Sequence, residues 1–392
     1  MLQFVSAIGT IFGAGTHSCE LQANIAPHSF QAIALQYTII RRALFLLSHF
    51  YSVSSVQLLT SMTIMRCSVA GTACTLLLAV QHAFSLSTST PPRKTAVLIC
   101  PAQFCVPVDY EDLITSLQKG VHVHAEEVET EITTARSIAT CKVAKLPRTE
   151  WIKVARHLPS KDFFESTLKP DKTLDWYFQA MESALADIYA AEGENVSISI
   201  IGHSIGGWVA RAYLGGLSGS YTSVYRLTQE RCSSLVTLGT PHSSPSEALV
   251  DQTRGLLRAV EDTPACSALA LMDRGIDVTC VGSTSIDGKV FSTDIEELVA
   301  SSSYIPLLGK LALSSGPSKG DGIVPVDLAF MDAPARRIEI EKCNAGSKVR
   351  HAHVFPTPWN LWDGYAASLP LPDDFTWYGS DSVIESWSSY VR

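Results

Sequence analysis

A serine with a glycine two residues away on each side, Gly202-His203-Ser204-Ile205-Gly206, is the part of this chain best suited to do chemistry. Val196 to Ile201 before it alternates as a strand does, and the segment beginning near Gly207 has the period of an amphipathic helix. A strand-to-helix turn of this kind lifts a serine hydroxyl clear of the backbone at the expense of a strained conformation. Only very small residues two positions before and after it avoid collision, a role that falls to Gly202 and Gly206. The helix that follows points unpaired N–H groups and its positive end at the same spot, so an oxyanion could be held there with Ile205 N–H as one donor.

A serine hydroxyl is a weak nucleophile until a base takes its proton, and the base needs a carboxylate to orient it. After a turn of this type the partners follow in the order acid, then histidine. Asp321, in Gly320-Asp321-Gly322-Ile323-Val324-Pro325, has glycines on both sides to place its carboxylate; the plainer alternative is an Asp-Gly surface turn. Two histidines lie beyond it, His351 and His353, and the spacing favours His351 as base with His353 as the alternative. The second oxyanion donor is expected in Pro101-Ala102-Gln103-Phe104, from Gln103 N–H or, alternatively, Phe104 N–H. His203 should support the turn rather than face the hydroxyl, and His242, at the end of Leu238-Gly239-Thr240-Pro241-His242, fits either a pocket rim or the core.

The elements that must position these groups alternate between strand and helix periods, as in an α/β fold whose parallel sheet is covered on both faces. Strands are expected at Thr95 to Cys100, Val121 to His124, Val196 to Ile201, Ser234 to Gly239, Val278 to Ser283 and Arg337 to Cys343. Helices are expected at Tyr110 to Lys119 and Leu174 to Ala191, and Ser380 reads as the N-cap of a closing amphipathic helix. Residues 138–172, 243–275 and 286–318 read as irregular insertions of the kind that form lids and substrate walls. Phe163, Phe164, Trp208, Trp359 and Trp362 would suit an acyl chain, although aromatics at such positions are more often core.

Taken together, the serine turn, the Leu238-Gly239-Thr240-Pro241-His242 strand end and Asp321-Gly322-Ile323-Val324-Pro325 resemble the lipase-like branch of the α/β-hydrolase superfamily. They are similar to its GPI inositol-deacylase-like and plastid lipase-like members over about residues 95 to 392. The resemblance implies an α/β-hydrolase fold, a mostly parallel central sheet with helices on both faces and lid-like insertions. It implies hydrolysis of carboxylic esters, commonly lipids, through an acyl-enzyme on Ser204, with no metal or organic cofactor taking part. An acyltransferase with the same triad, or a silent binding scaffold, are the alternatives. Where many lipases carry His-Gly in the first loop, this chain has Pro101-Ala102.

Charge divides the 392-residue chain. Residues 1–94 carry five Lys and Arg against Glu20 alone, a net +4, and the remainder carries 25 against 37, a net −12. The acidic catalytic region would repel phosphate backbones, which excludes nucleic acid as a partner and leaves a small-molecule lipid or ester substrate, with peripheral membrane contact open. The acid-poor segment reads as targeting sequence. A signal-like stretch spans 62–83, and a hydroxyl-rich, basic, transit-like stretch spans 84–94, opening on Phe84. This resembles the bipartite presequences of algae with secondary plastids, although Gln81 stands where a small residue is expected; secretion is the alternative. Residues 1–61 read as a membrane anchor, further presequence, or sequence upstream of a start at Met62 or Met65, with the last preferred. The seven cysteines from Cys100 to Cys343 are an odd number without a CxxC pair, so neither a disulfide framework nor a zinc site is expected. The sequon at Asn195 abuts the serine strand and reads as coincidence.

Overall fold

The computed structural model describes residues 94–119, 138–222, 231–244, 251–309, 317–353 and 374–392. The presequence features, the strand expected at Val121 to His124, Trp359 and Trp362 lie outside these. Strand β1 (Thr95–Cys100) is followed by helix α1 (Glu111–Gln118), strand β2 (Ile138–Val143), helix α2 (Asp175–Glu192), strand β3 (Ser197–His203) and helix α3 (Ile205–Leu214). Then come β4 (Cys232–Leu238), the short helices α4 (Leu256–Glu261) and α5 (Ala268–Asp273), and β5 (Asp277–Ser283). The chain continues through β6 (Ile286–Gly288), helix α6 (Ile295–Leu308), β7 (Ser318–Gly320), β8 (Arg336–Ile340), β9 (Val349–Arg350) and β10 (Thr376–Trp377).

Six strands form one sheet in the order β2-β1-β3-β4-β5-β8, and every pairing in it is parallel. β1 shows why. All six of its residues are buried, as a strand covered on both faces requires. Successive side chains enter opposite cores: Ala96, Leu98 and Cys100 pack with α2, α3, α4 and α5, whereas Val97 and Ile99 pack with α1, Trp377 and Trp387. A third cluster, of Ile286, Ala300, Tyr304 and Leu308 with Val324 and Leu328, surrounds α6.

Register decides where a site can form. Cys100 lies opposite Gly202, His203 opposite Leu238, and Leu238 opposite Val281, so four strands end level with one another. The chain runs outward from β1 to β2 and then returns to the other side of β1 for β3, which makes the β1/β3 boundary the point where strand order reverses. A crevice opens outside the carboxyl ends at such a boundary.

The expected irregular stretches hold more structure than anticipated. Residues 138–172 contain β2, an edge strand whose half-exposed side chains, Lys142 among them, show no apolar alternation. Residues 243–275 contain α4 and α5, and 286–318 contain β6 and α6, where Ser301, Ser302, Ser303 and Pro306 interrupt the apolar stripe of a 14-residue helix. At the C terminus the expected amphipathic helix is a single turn, Asp381–Ile384. Ser380 occupies its N-cap without capping it, because its hydroxyl accepts from Trp377 N–H instead (3.0 Å). Among the described residues no helix is long and apolar enough to cross a membrane.

Candidate active site

Ser204 sits between β3 and α3 at φ +53° and ψ −126°, left-handed backbone for a residue with a side chain. Its N–H donates to Leu238 O (2.9 Å), fixing the turn against the end of β4. A Cβ at Gly206 would collide with the Cys100 carbonyl, and one at Gly202 would collide with Gly207, so the turn closes only with glycine at both positions.

The structure brings Ser204, Asp321 and His351 into one line. His351 Nε2 stands 2.9 Å from Ser204 Oγ, and His351 Nδ1 stands 2.8 Å from Asp321 Oδ2. The carboxylate is held on every side. Oδ1 accepts from the amides of Ile323 (3.0 Å) and Val324 (2.7 Å), and Oδ2 also accepts from Tyr378 O–H (2.9 Å). Burial alone would raise the Asp321 pKa, but the neighbouring His351 and these hydrogen bonds bring it below the ordinary carboxylate value. An ionised acceptor takes the Nδ1 proton, which leaves the Nε2 lone pair facing the serine. The backbone agrees, since His351 N–H donates to Asp321 O (2.9 Å).

His353 is placed elsewhere. Its ring lies 4.4 Å from that of Trp377, its Nδ1 is buried with no hydrogen-bond partner among the described residues, and burial lowers its pKa. His242 is a core histidine and does not line a pocket rim. Arg211 donates to its Nδ1 (3.1 Å), Thr237 Oγ1 stands 2.9 Å from its Nε2, and burial, followed by the Arg211 charge, holds it well below its usual pKa. Trp208 and Phe163 are buried in the core, and of the described aromatics expected to wall a pocket only Phe164 is exposed.

Ile205 is the first residue of α3, so its amide has no intrahelical acceptor. In the loop after β1, Ala102 O accepts from Cys105 N–H (3.1 Å). This closes a turn with Gln103 and Phe104 at its centre and Phe104 at φ +64°. Neither central amide is used by that turn, and either could meet an anion. Two residues with no sequence motif hold the loop. Arg148, fully buried, donates from Nε to Phe104 O (2.9 Å) and from Nη2 to Asp109 (3.0 Å), and Asp109 accepts from Val106 N–H (2.8 Å). Nothing in local sequence marked them, because they meet across 39 residues of chain.

Gly239, part of the strand-end motif but given no role by the sequence, lies against the acid and base at φ +54°. A Cβ there would stand 2.6 Å from Asp321 Oδ2 and 3.1 Å from His351 Nδ1. Among the described residues no three His, Cys, Asp or Glu are grouped to hold a metal ion, and the seven cysteines in them are free.

Residues 173–297, which include the serine turn, match the family model described as the PGAP1-like alpha/beta domain. That segment is thus a PGAP1-like alpha/beta domain, and the six-stranded parallel sheet with helices around it is consistent with an α/β-hydrolase fold. Among curated proteins none matches this sequence. The solved structure of the gene lin2722 product from Listeria innocua aligns over 63% of this chain and 83% of that chain, at 14% identity and a TM-score of 0.31. A likeness that low adds nothing to the assignment.

Proposed function

We propose that this protein is a serine esterase of α/β-hydrolase type that cleaves carboxylic esters, acyl lipids in the first place, through an acyl-enzyme on Ser204. The observation that carries the reading is the unbroken line Ser204 Oγ, His351 and Asp321, with contacts of 2.9 and 2.8 Å, at the point where the strand order reverses. In this reading Ser204 Oγ attacks the ester carbonyl carbon as its proton passes to His351 Nε2. Asp321 stabilises the resulting imidazolium. The carbonyl oxygen becomes an oxyanion and is met by the amides of Ile205 and Gln103, with Phe104 as the alternative second donor; each such donor is worth about 3 kcal/mol in the transition state. Collapse expels the alcohol, which takes the proton from His351 and leaves the acyl group on Ser204. Water then attacks that ester as His351 removes its proton, and collapse releases the acid and reprotonates Ser204.

An apolar substrate is supported by the insertion between β5 and β8. There Phe291 is fully exposed, and Val290, Ile295, Leu298 and Val299 are exposed beside it. Such a surface suits peripheral contact with lipid. Delivery to the plastid, with secretion as the alternative, is part of the same proposal and rests on the acid-poor N-terminal segment alone.

The test is labelling of the full chain by a fluorophosphonate probe, beside Ser204→Ala and His351→Ala. Labelling confined to the wild type is expected. A folded wild type that stays unlabelled would remove the esterase reading and leave a binding scaffold.

A further inference from the structure

Three groups outside the triad, Ala102, Tyr110 and His203, form a chain of hydrogen bonds that ends on the backbone of its base. Ala102 N–H stands 2.8 Å from Tyr110 Oη, Tyr110 Oη stands 2.9 Å from His203 Nδ1, and His203 Nε2 stands 2.8 Å from His351 O. The proton positions follow from the two ends. An amide N–H only donates, so Tyr110 Oη accepts from Ala102, and its own O–H is free to donate to His203 Nδ1. A carbonyl only accepts, so His203 Nε2 carries a proton and donates it to His351. His203 is therefore neutral, in a single tautomer. Burial, with the neighbouring His351 second, brings its pKa down to about 3, which favours the neutral ring at neutral pH. Trp377 packs against both rings, tilted 5.2 Å from His203 and edge-on 6.0 Å from Tyr110.

The three places joined are the residue before Gln103, the residue before Ser204 and the backbone of the base itself. We infer that Tyr110 and His203 are positioning residues, a relay that holds the oxyanion loop and the base loop in register with the nucleophile. The inference rests on the esterase reading for its purpose. Its geometry stands apart from that reading. His351 is clamped at both ends of its backbone, by Asp321 O on its N–H and by His203 on its carbonyl. A shift of the backbone that carries the imidazole therefore has to break one of these bonds or move the turn that carries Ser204. Misplacement by a fraction of an ångström at the reacting atoms lowers turnover more than binding.

Two readouts on the full chain separate the relay from simple packing. Long-range proton–nitrogen spectra of protein labelled with 15N-histidine, with the His203 signals identified by their loss in His203→Gln, should show a protonated Nε2 and a bare Nδ1. The opposite tautomer, or a charged ring at pH 7, overturns the relay whether or not the protein hydrolyses anything. Tyr110→Phe removes one oxygen and keeps the ring. With p-nitrophenyl butyrate as probe it should lower kcat about tenfold or more, with KM within twofold and an unchanged circular dichroism spectrum. Unchanged kcat in Tyr110→Phe, beside an active wild type, overturns the relay alone. A wild type as silent as Ser204→Ala overturns the esterase reading, and with it any positioning for catalysis, even if the tautomer is as drawn.

Discussion

Asp321 receives four hydrogen bonds at two oxygens, and that saturation defines what a substitution there would do. Asp321→Asn presents an NH2 group where two donors already point, or reverses the His351 tautomer. Either outcome disables Nε2 as a base, and kcat on a p-nitrophenyl ester should fall by about 10⁴-fold with the fold intact. The same carboxylate also links folding to acid. Its folded pKa lies below the ordinary value near 3.9, so its contribution is present above that value and is lost as pH falls through the lower folded value. Acid unfolding of Asp321→Asn should therefore start from a lower stability and fall less steeply below about pH 4, measured by circular dichroism against pH.

At the scale of elements, the site depends on loop ends that arrive level. β4 ends at Leu238, and Gly239 passes between Asp321 and Tyr378 with no space for a side chain. Gly239→Ala would have to hold a positive φ, which costs about 1–2 kcal/mol, and would push the acid away from the base. Probe labelling of Ser204 should fall further than stability does, a comparison made by labelling rate and thermal midpoint on one preparation. The first loop depends in turn on Arg148 and Asp109. Burial raises the Asp109 pKa in spite of Arg148, so the pair costs desolvation and is kept by its geometry. Arg148→Met alone strands a buried carboxylate, and a loss of about 3–5 kcal/mol in denaturant unfolding is expected. Pairing it with Asp109→Leu should recover part of that loss.

Across the whole molecule, neutral histidines buried in the sheet's layers set the response to pH. His203 and His242 are both held below the ordinary value of 6.5, His203 at about 3. The unfolded chain takes up protons at these positions below about pH 6.5 while the folded chain does not, so stability is lost as pH falls from there toward the folded values. The thermal midpoint should be lower at pH 5 than at pH 7. A level midpoint across that range would contradict burial of both rings in the neutral state.

Legibility followed physical range. The serine turn could be read from sequence because its strand, its two glycines and its helix are contiguous and each obeys a local steric rule. The buried strands β1, β3, β4 and β5 could be read because a sheet covered on both faces demands apolar runs. β2 and α6 could not, since an edge strand and a serine-interrupted helix keep little hydrophobic period. Sequence order limited the histidine partner to His351 and His353, two residues apart in the same loop, and only the folded loop decided which of them reaches Ser204 Oγ. The roles of Arg148, Asp109, Tyr110, Gly239 and Tyr378 came from tertiary structure alone. Their partners lie in other elements, where strand register and buried hydrogen bonding, rather than local propensity, determine which groups meet.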